Sequence, residues 1–280
     1  MKGMCDDRHS RAPGKTDLNG DILLFQLWKR RMSPFRSVFP GARVWRSSHI
    51  PFMPRTARAL QAGGYYHLIN RGNNRSTIFP GASDYRSFLN LVDKAQDRIP
   101  LTLLAFCAMP NHFHMVASAT AARDISRWMH WLLTTHGHRF HANNGTTGRI
   151  WQGRFKAFPI QHDAHLLTVM RYVERNALRA GLVERAEHWP WGSLAWRVGQ
   201  AIGPPLGNAP VSMPVDWAEY VNAPQTTEEL HALRTCVNQQ RPFGDQTWSD
   251  DAATRLGLGS SGRSRGRPRR PDSPRGLTLL

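Results

Sequence analysis

Residues 101–119, LTLLAFCAMPNHFHMVASA, decide how the rest of the chain is arranged. Two apolar runs, 101–109 and 112–119, flank Pro110 and Asn111. A two-residue Pro-Asn connection between such runs predicts antiparallel strands closed by a tight hairpin. Residues i and i+2 of a strand share a face, so His112 and His114 project together while Phe113 and Met115 point to the other side. Two imidazoles so spaced can grip one divalent cation. The same spacing also fits two ordinary polar residues of a strand, and the pair by itself does not separate these readings.

Working outward from the hairpin, YYHLINRG at 65–72 is aromatic and β-branched and stops at Gly72, as a strand before a turn does. Between the two, SDYRSFLNLVDKAQDR at 83–98 offers Ser83 or Asp84 as an N-cap and apolar residues at Phe88, Leu91, Val92 and Ala95, the spacing of a helix. Beyond the hairpin, Ile125, Trp128, Met129, Leu132 and Leu133 mark a second helix over 122–142, ended by NNGTTG. RIWQGRFKAFPI at 149–160 reads as a further strand, and a third helix over 163–179 is followed by Gly181, where a C-terminal glycine is expected. The order predicts an α+β domain, an antiparallel sheet with helices packed on it, similar in plan to a ferredoxin-like fold.

Charge narrows the partners. Among 280 residues, Lys and Arg total 37 against 20 Asp and Glu, a formal net charge of +17. Such an imbalance favours a polyanion, nucleic acid before an anionic membrane surface. Cys5, Cys107 and Cys236 form no CxxC pair, which argues against a disulfide framework and a thiolate zinc site. No apolar run approaches the roughly 18 residues of a membrane span; ILLFQLW at 22–28 is short and broken by Gln26. The expected location is the cytoplasm, in association with the nucleoid. Residues 1–52 read as a poorly ordered leader, with Met53 as an alternative start, followed by a domain at 53–200 and an extension at 201–280. The extension holds a short helix at 226–237 and ends in RSRGRPRRPDSPR (263–275), where Arg265, Arg267, Arg269 and Arg270 would be drawn to phosphates.

The third helix contains MRYVERNALRAG, 170–181. Its apolar stripe, Leu166, Val169, Met170, Val173 and Ala177, leaves Tyr172 and Asn176 stacked on another face with Arg179 beside them. A boundary tyrosine with its hydroxyl in water and a solvent-facing asparagine fit the same spacing. In RIWQGRFK, the cations Arg149, Arg154 and Lys156 interleave with Trp151 and Phe155, the composition that single-stranded nucleic acid sites use. Alternation puts the two rings opposite Arg154 and Lys156, so the rings also fit a core. Arg71, Arg171, Arg175 and Arg179 add charge near the histidines and the tyrosine. The histidines of HGHRFH, 136–141, fan over different helix faces and make no metal site.

Taken in order, GGYYHLINRGNNRSTIF (63–79), AFCAMPNHFHMVA (105–117), GRIWQGRFKAFPI (148–160) and RYVERNALRAGLV (171–183) resemble the single-tyrosine HUH transposases, and more closely their REP-associated tyrosine transposase branch. RPFGDQTW (241–248) and LGLGSSGRSRGRPRR (256–270) look like the tail of that branch. The resemblance implies that His112 and His114 bind Mg2+ or Mn2+, that Asn176 completes the metal shell, and that Tyr172 is the nucleophile. It further implies cleavage and rejoining of single-stranded or hairpin DNA through a 5′-phosphotyrosine with a free 3′-hydroxyl. Ala177 departs from the pattern, standing where this branch would carry proline. The alternative is a nucleic-acid-binding regulator of the same fold that performs no cleavage. Either reading is compatible with a monomer or a homodimer.

Overall fold

The computed structural model describes residues 60–258. The expected leader at 1–52, Met53 and the arginine-rich tail with Arg265, Arg267, Arg269 and Arg270 lie outside these residues. The hairpin forms as its sequence predicts: β2 (Thr102–Met109) and β3 (His112–Ser118) are antiparallel, with Met109 opposite His112 and Cys107 opposite His114. On the other side of β3, β1 (Tyr65–Arg71) runs antiparallel with Arg71 opposite His112 and Ile69 opposite His114. β4 (Lys156–Ile160) pairs antiparallel with β1, which gives the strand order β2-β3-β1-β4. Pro159 is tolerated because β4 is an edge strand.

Helices α1 (Ala82–Arg98) and α2 (Ala122–Asn144) fill the connections β1 to β2 and β3 to β4, completing the ferredoxin-like succession of an α+β fold. Glycine begins α1 and ends α2. Gly81 is the N-cap of α1, its N–H donating to the Asp84 carboxylate at 3.1 Å, so Asp84 closes the first turn from inside the helix. Gly145, at φ +61, stops α2.

Both sheet faces are covered. On one, Leu68, Phe106, Phe113 and Met115 meet Phe88, Leu91, Val92, Trp128 and Met129 of α1 and α2. On the other, Cys107, Val116 and Ile160 meet Leu166, Val169, Met170 and Val173 of α3 (Ala164–Glu174). Burial on both faces explains why β2 and β3 read as nearly continuous apolar runs instead of alternating ones. After α3 the chain passes Arg175 and resumes as α4 (Asn176–Arg179), and Gly181 at φ +68 ends the helical run.

The strand expected over 149–160 is shorter. Residues 149–155 form a loop whose backbone meets the sheet at an antiparallel bridge between Trp151 and Gly72. Trp151 and Phe155 are both drawn into the core under α1 and α2, and these two anchors, with Gly153 between them, take the backbone off the ladder until Lys156.

Beyond α4, the segment leading to α5 (Ser193–Arg197) lies beside β2, with Ala108 N–H donating to the Trp191 carbonyl at 2.9 Å. α6 (Trp217–Asn222) and α7 (Thr227–Gln239) add Trp217, Val221 and Leu233 to the second core, so residues beyond 200 share the packing of the sheet domain. After α7, Phe243 lies beside β4: its N–H donates to the Pro159 carbonyl at 2.9 Å, and its carbonyl accepts from Gln161 at 2.9 Å. α8 (Gln246–Arg255) follows.

Candidate active site

The β2–β3 register places His112 and His114 on the face covered by α3. Each ring has one nitrogen engaged. Asn111 donates through Nδ2 to the Arg75 carbonyl at 3.0 Å, which turns its Oδ1 toward His112 Nδ1 at 2.6 Å. An amide oxygen only accepts, so Nδ1 of His112 carries the proton and Nε2 keeps a lone pair. His114 Nδ1 faces Nε2 of His67, on β1, at 2.9 Å. The tautomer in which His114 donates across this contact likewise leaves Nε2 of His114 unprotonated. Burial pushes His112 down to about 4, helped by the charges of Arg71 and Arg179. It pushes His67 down to about 3, and it holds His114 well below the ordinary imidazole range, with His67 and His112 adding to the effect. All three rings are therefore neutral at pH 7, the form a metal requires.

Tyr172 reaches the same place from α3. Its ring stands edge-on to His67 and to His114, with centroids 6.0 Å apart in both cases. The Arg179 guanidinium carbon lies 4.0 Å from the centre of the tyrosine ring, a cation–π contact. Tyr172 is 8 % exposed and Asn176 5 %, so neither is the solvent-facing residue that the spacing also allowed. Asn176 donates through Nδ2 to the Tyr172 carbonyl at 3.3 Å, and its Oδ1 accepts from the Arg179 guanidinium. That oxygen thus has one lone pair already engaged and a second to offer.

These groups line a cavity of about 610 Å³, bounded by the ends of β1 and β3, the 152–156 segment, α3, α4 and α7. Arg71, Arg154, Lys156 and Arg179 contribute to its wall, and none of its lining residues is a carboxylate. Arg149 is exposed outside this wall. Arg171 and Arg175 go elsewhere. Arg171 is buried, donates to the carbonyls of Ala223 at 2.7 Å and Pro224 at 3.1 Å, and lies over the Tyr220 ring. Arg175 donates to the carbonyls of Val221 at 3.1 Å and Asn222. Both cations satisfy the carbonyl end of α6, a favourable place for positive charge. Trp151 packs edge-on against Phe113 with centroids 5.5 Å apart, and Phe155 is buried in the same core; the two rings serve packing and leave the cations to face the cavity.

The sequence reading missed His67, which backs His114 at 2.9 Å, and Arg234 and Asn238 on α7, which line the cavity. His67 was within reach, because His67, Ile69 and Arg71 alternate onto one face of β1. Nothing local marks Arg234 and Asn238, since α7 reaches the cavity through contacts distant in sequence. No group of three or more His, Cys, Asp and Glu side chains among the described residues could close around a metal. A divalent ion would therefore have two imidazole Nε2 atoms and oxygen donors, an open set that suits a hard cation with exchangeable positions.

Residues 61–176 match the family model described as transposase IS200 like. None of the curated proteins matches this sequence. Among solved structures, a REP-associated tyrosine transposase bound to a REP hairpin is 20 % identical, with a TM-score of 0.45, over 56 % of this chain and 93 % of that one. A candidate transposase from Deinococcus radiodurans R1 is 14 % identical, with a TM-score of 0.31, over 53 % and 99 %. The matched residues include β1, the histidine pair, Tyr172 and Asn176, and over this stretch the chain is similar to IS200-like transposases.

Proposed function

We propose that this protein cleaves and rejoins single-stranded or hairpin DNA of the REP type, with Tyr172 as the nucleophile. The observation that carries the proposal is convergence. Tyr172 from α3 and the two histidines from β3 meet in one cavity whose wall is cationic and free of carboxylates. The arginines and Lys156 would hold the backbone phosphates on either side of the scissile bond. Tyr172 Oη would attack phosphorus and lose its proton, while Arg179, stacked on its ring, balances the negative charge that develops. The bond from phosphorus to the 3′-oxygen breaks, that oxygen leaves as a hydroxyl with the proton balance closed through water, and the 5′-phosphate remains on Tyr172. The covalent link retains the broken bond for a later attack by another 3′-hydroxyl.

A magnesium or manganese ion on His112, His114 and the second lone pair of Asn176 Oδ1 would neutralise phosphate charge and polarise phosphorus. Asn111 and His67 hold the two imidazoles in their orientation and tautomer.

Incubating the protein with end-labelled single-stranded hairpins and manganese or magnesium, then separating products on a denaturing gel, tests the proposal. The expected result is a protein-linked, metal-dependent band that Tyr172→Phe abolishes and His112→Ala reduces at least a hundredfold. Binding without a covalent product, across hairpins and with both metals, would reassign the protein as a non-cleaving regulator.

A further inference from the structure

α7 lies C-terminal to the 61–176 family match, yet it forms one wall of the catalytic cavity. It is held at both ends. Near its start, Arg171 of the tyrosine helix grips the carbonyls of Ala223 and Pro224 and lies 3.8 Å from Glu229. Thr226 caps the helix, accepting from Glu229 N–H at 3.1 Å while the Glu229 carboxylate accepts from Thr226 N–H at 3.1 Å. Past its end, Phe243 is hydrogen-bonded on both sides to β4, and Gln161 and Asp245 exchange bonds of 2.7 and 2.8 Å. α7 thus spans from the tyrosine helix to the edge strand as a fixed wall.

The face it presents to the cavity carries Arg234 and Asn238, one turn apart and therefore on the same side. Arg234 is exposed and has neither an ion pair nor a hydrogen bond among the described residues. It stands near another cation. Arg179 lines the same cavity, its guanidinium over the Tyr172 ring at 4.0 Å. Two guanidinium groups set together around a cavity without a carboxylate leave a place for an anion between them.

We infer that α7 is part of the DNA-binding surface, and that Arg234, assisted by Asn238, binds a backbone phosphate of the strand lying in the cavity, opposite the His112–His114 pair. The inference rests on the cleavage reading above and extends the active centre beyond the family domain. The strand is enclosed between α7 and the 152–156 segment, with Arg234 on one side and Arg154 and Lys156 on the other. Arg171 acts at one remove, as the residue that positions α7.

The test uses the full chain and a fluorescent DNA hairpin with a single-stranded flank, titrated by anisotropy at several salt concentrations in parallel with the covalent-adduct assay. Arg234→Gln is expected to weaken binding roughly three- to tenfold and to reduce the slope of log affinity against log salt by about 0.7, the loss of one single-strand phosphate contact. Arg234→Lys should recover the slope. Arg255→Gln, removing an exposed charge of α8 outside the cavity, should leave affinity and slope at their wild-type values. Because Arg234 is exposed, equal thermal midpoints for the variants are expected and exclude misfolding. Wild-type affinity and slope in Arg234→Gln would overturn the inference while a Tyr172-dependent adduct sustained the cleavage reading. A weakened Arg234→Gln with no adduct from the wild type would sustain the phosphate site and overturn cleavage. Failure of the wild type to bind the hairpin at low salt would overturn both.

Discussion

His112 and His136 are both histidines that burial pushes down to about 4, with different consequences. His112 opens onto a cavity, whereas His136 is enclosed by Phe79, Phe88, Phe140 and Trp151, and its Nδ1 has no partner among the described residues. An imidazole kept neutral by its surroundings links stability to pH. Above about 6.5 neither the folded nor the unfolded chain is protonated there, and the site adds no pH dependence. Between 6.5 and about 4 the unfolded chain takes up a proton that the folded chain refuses, so stability falls as pH falls, by roughly 3 kcal/mol, and then levels off. His67, His112 and His114 act in the same direction. His136→Leu should therefore give a shallower loss of stability over this window than the wild type, measured by urea unfolding at pH 7, 5.5 and 4.5. The HGHRFH stretch shows why the sequence did not place His136 in the core. The ring's burial comes from Phe79, Phe88 and Trp151, none of them near it in sequence.

Among the elements, the tyrosine helix is fastened more firmly than its apolar stripe alone provides. Glu174, two residues past Tyr172, is fully buried and accepts from Ser193 Oγ at 2.5 Å, Arg197 Nε at 2.9 Å and Trp217 Nε1 at 2.6 Å. A buried carboxylate is tolerated only when its oxygens are satisfied in this way. Glu174→Ala would leave a buried indole N–H and a guanidinium unmatched and should cost about 3–5 kcal/mol in urea unfolding. Glu174→Gln, which keeps the shape, should cost less. Arg171→Leu should have a localised effect: faster amide hydrogen exchange in 227–239, with β3 protection unchanged, because α7 would lose its hold on the tyrosine helix while the sheet core stayed intact. The hairpin, β1 and the first three helices were legible in sequence, since short-range periodicity, glycine stops and a two-residue turn are local signals. The start of β4 was not, because two aromatic residues at strand spacing turned to the core from a loop. α5, α6 and α8 were missed for another reason: they are short, separated by segments rich in proline and glycine, and stabilised mainly by what they pack against.

For the whole molecule, the net charge of +17 becomes specific only where the fold gathers it. Arg71, Arg154, Lys156, Arg179 and Arg234 line one cavity though they come from β1, the loop before β4, β4, α4 and α7. If all five meet phosphates of a single strand, affinity for a flanked hairpin should fall with salt with a log–log slope of about −3.5. A slope near zero would remove the backbone-binding role from the cavity. The second sheet face depends on the same C-terminal half: ending the chain after residue 200 removes Trp217, Val221 and Leu233 from the core over Leu166, Val169 and Val173. Such a variant should lose cooperative thermal unfolding and bind a hydrophobic dye. The residues of the proposed chemistry could be picked out in the family-matched region, but the enclosure of the site could not, because it depends on backbone carbonyls of residues 221–224 meeting Arg171 and Arg175. The segments beside β2 and β4 have a further effect. Ala108 finds a partner in Trp191, and Pro159 finds one in Phe243, so both outer strands of the sheet have hydrogen-bond partners within their own chain. A basic protein that must coexist with long polyanions concentrates wherever they lie, and open strand borders at such local concentrations would template one copy onto the next. By flanking its own sheet, the chain keeps these borders from offering a template to its copies at high local concentration.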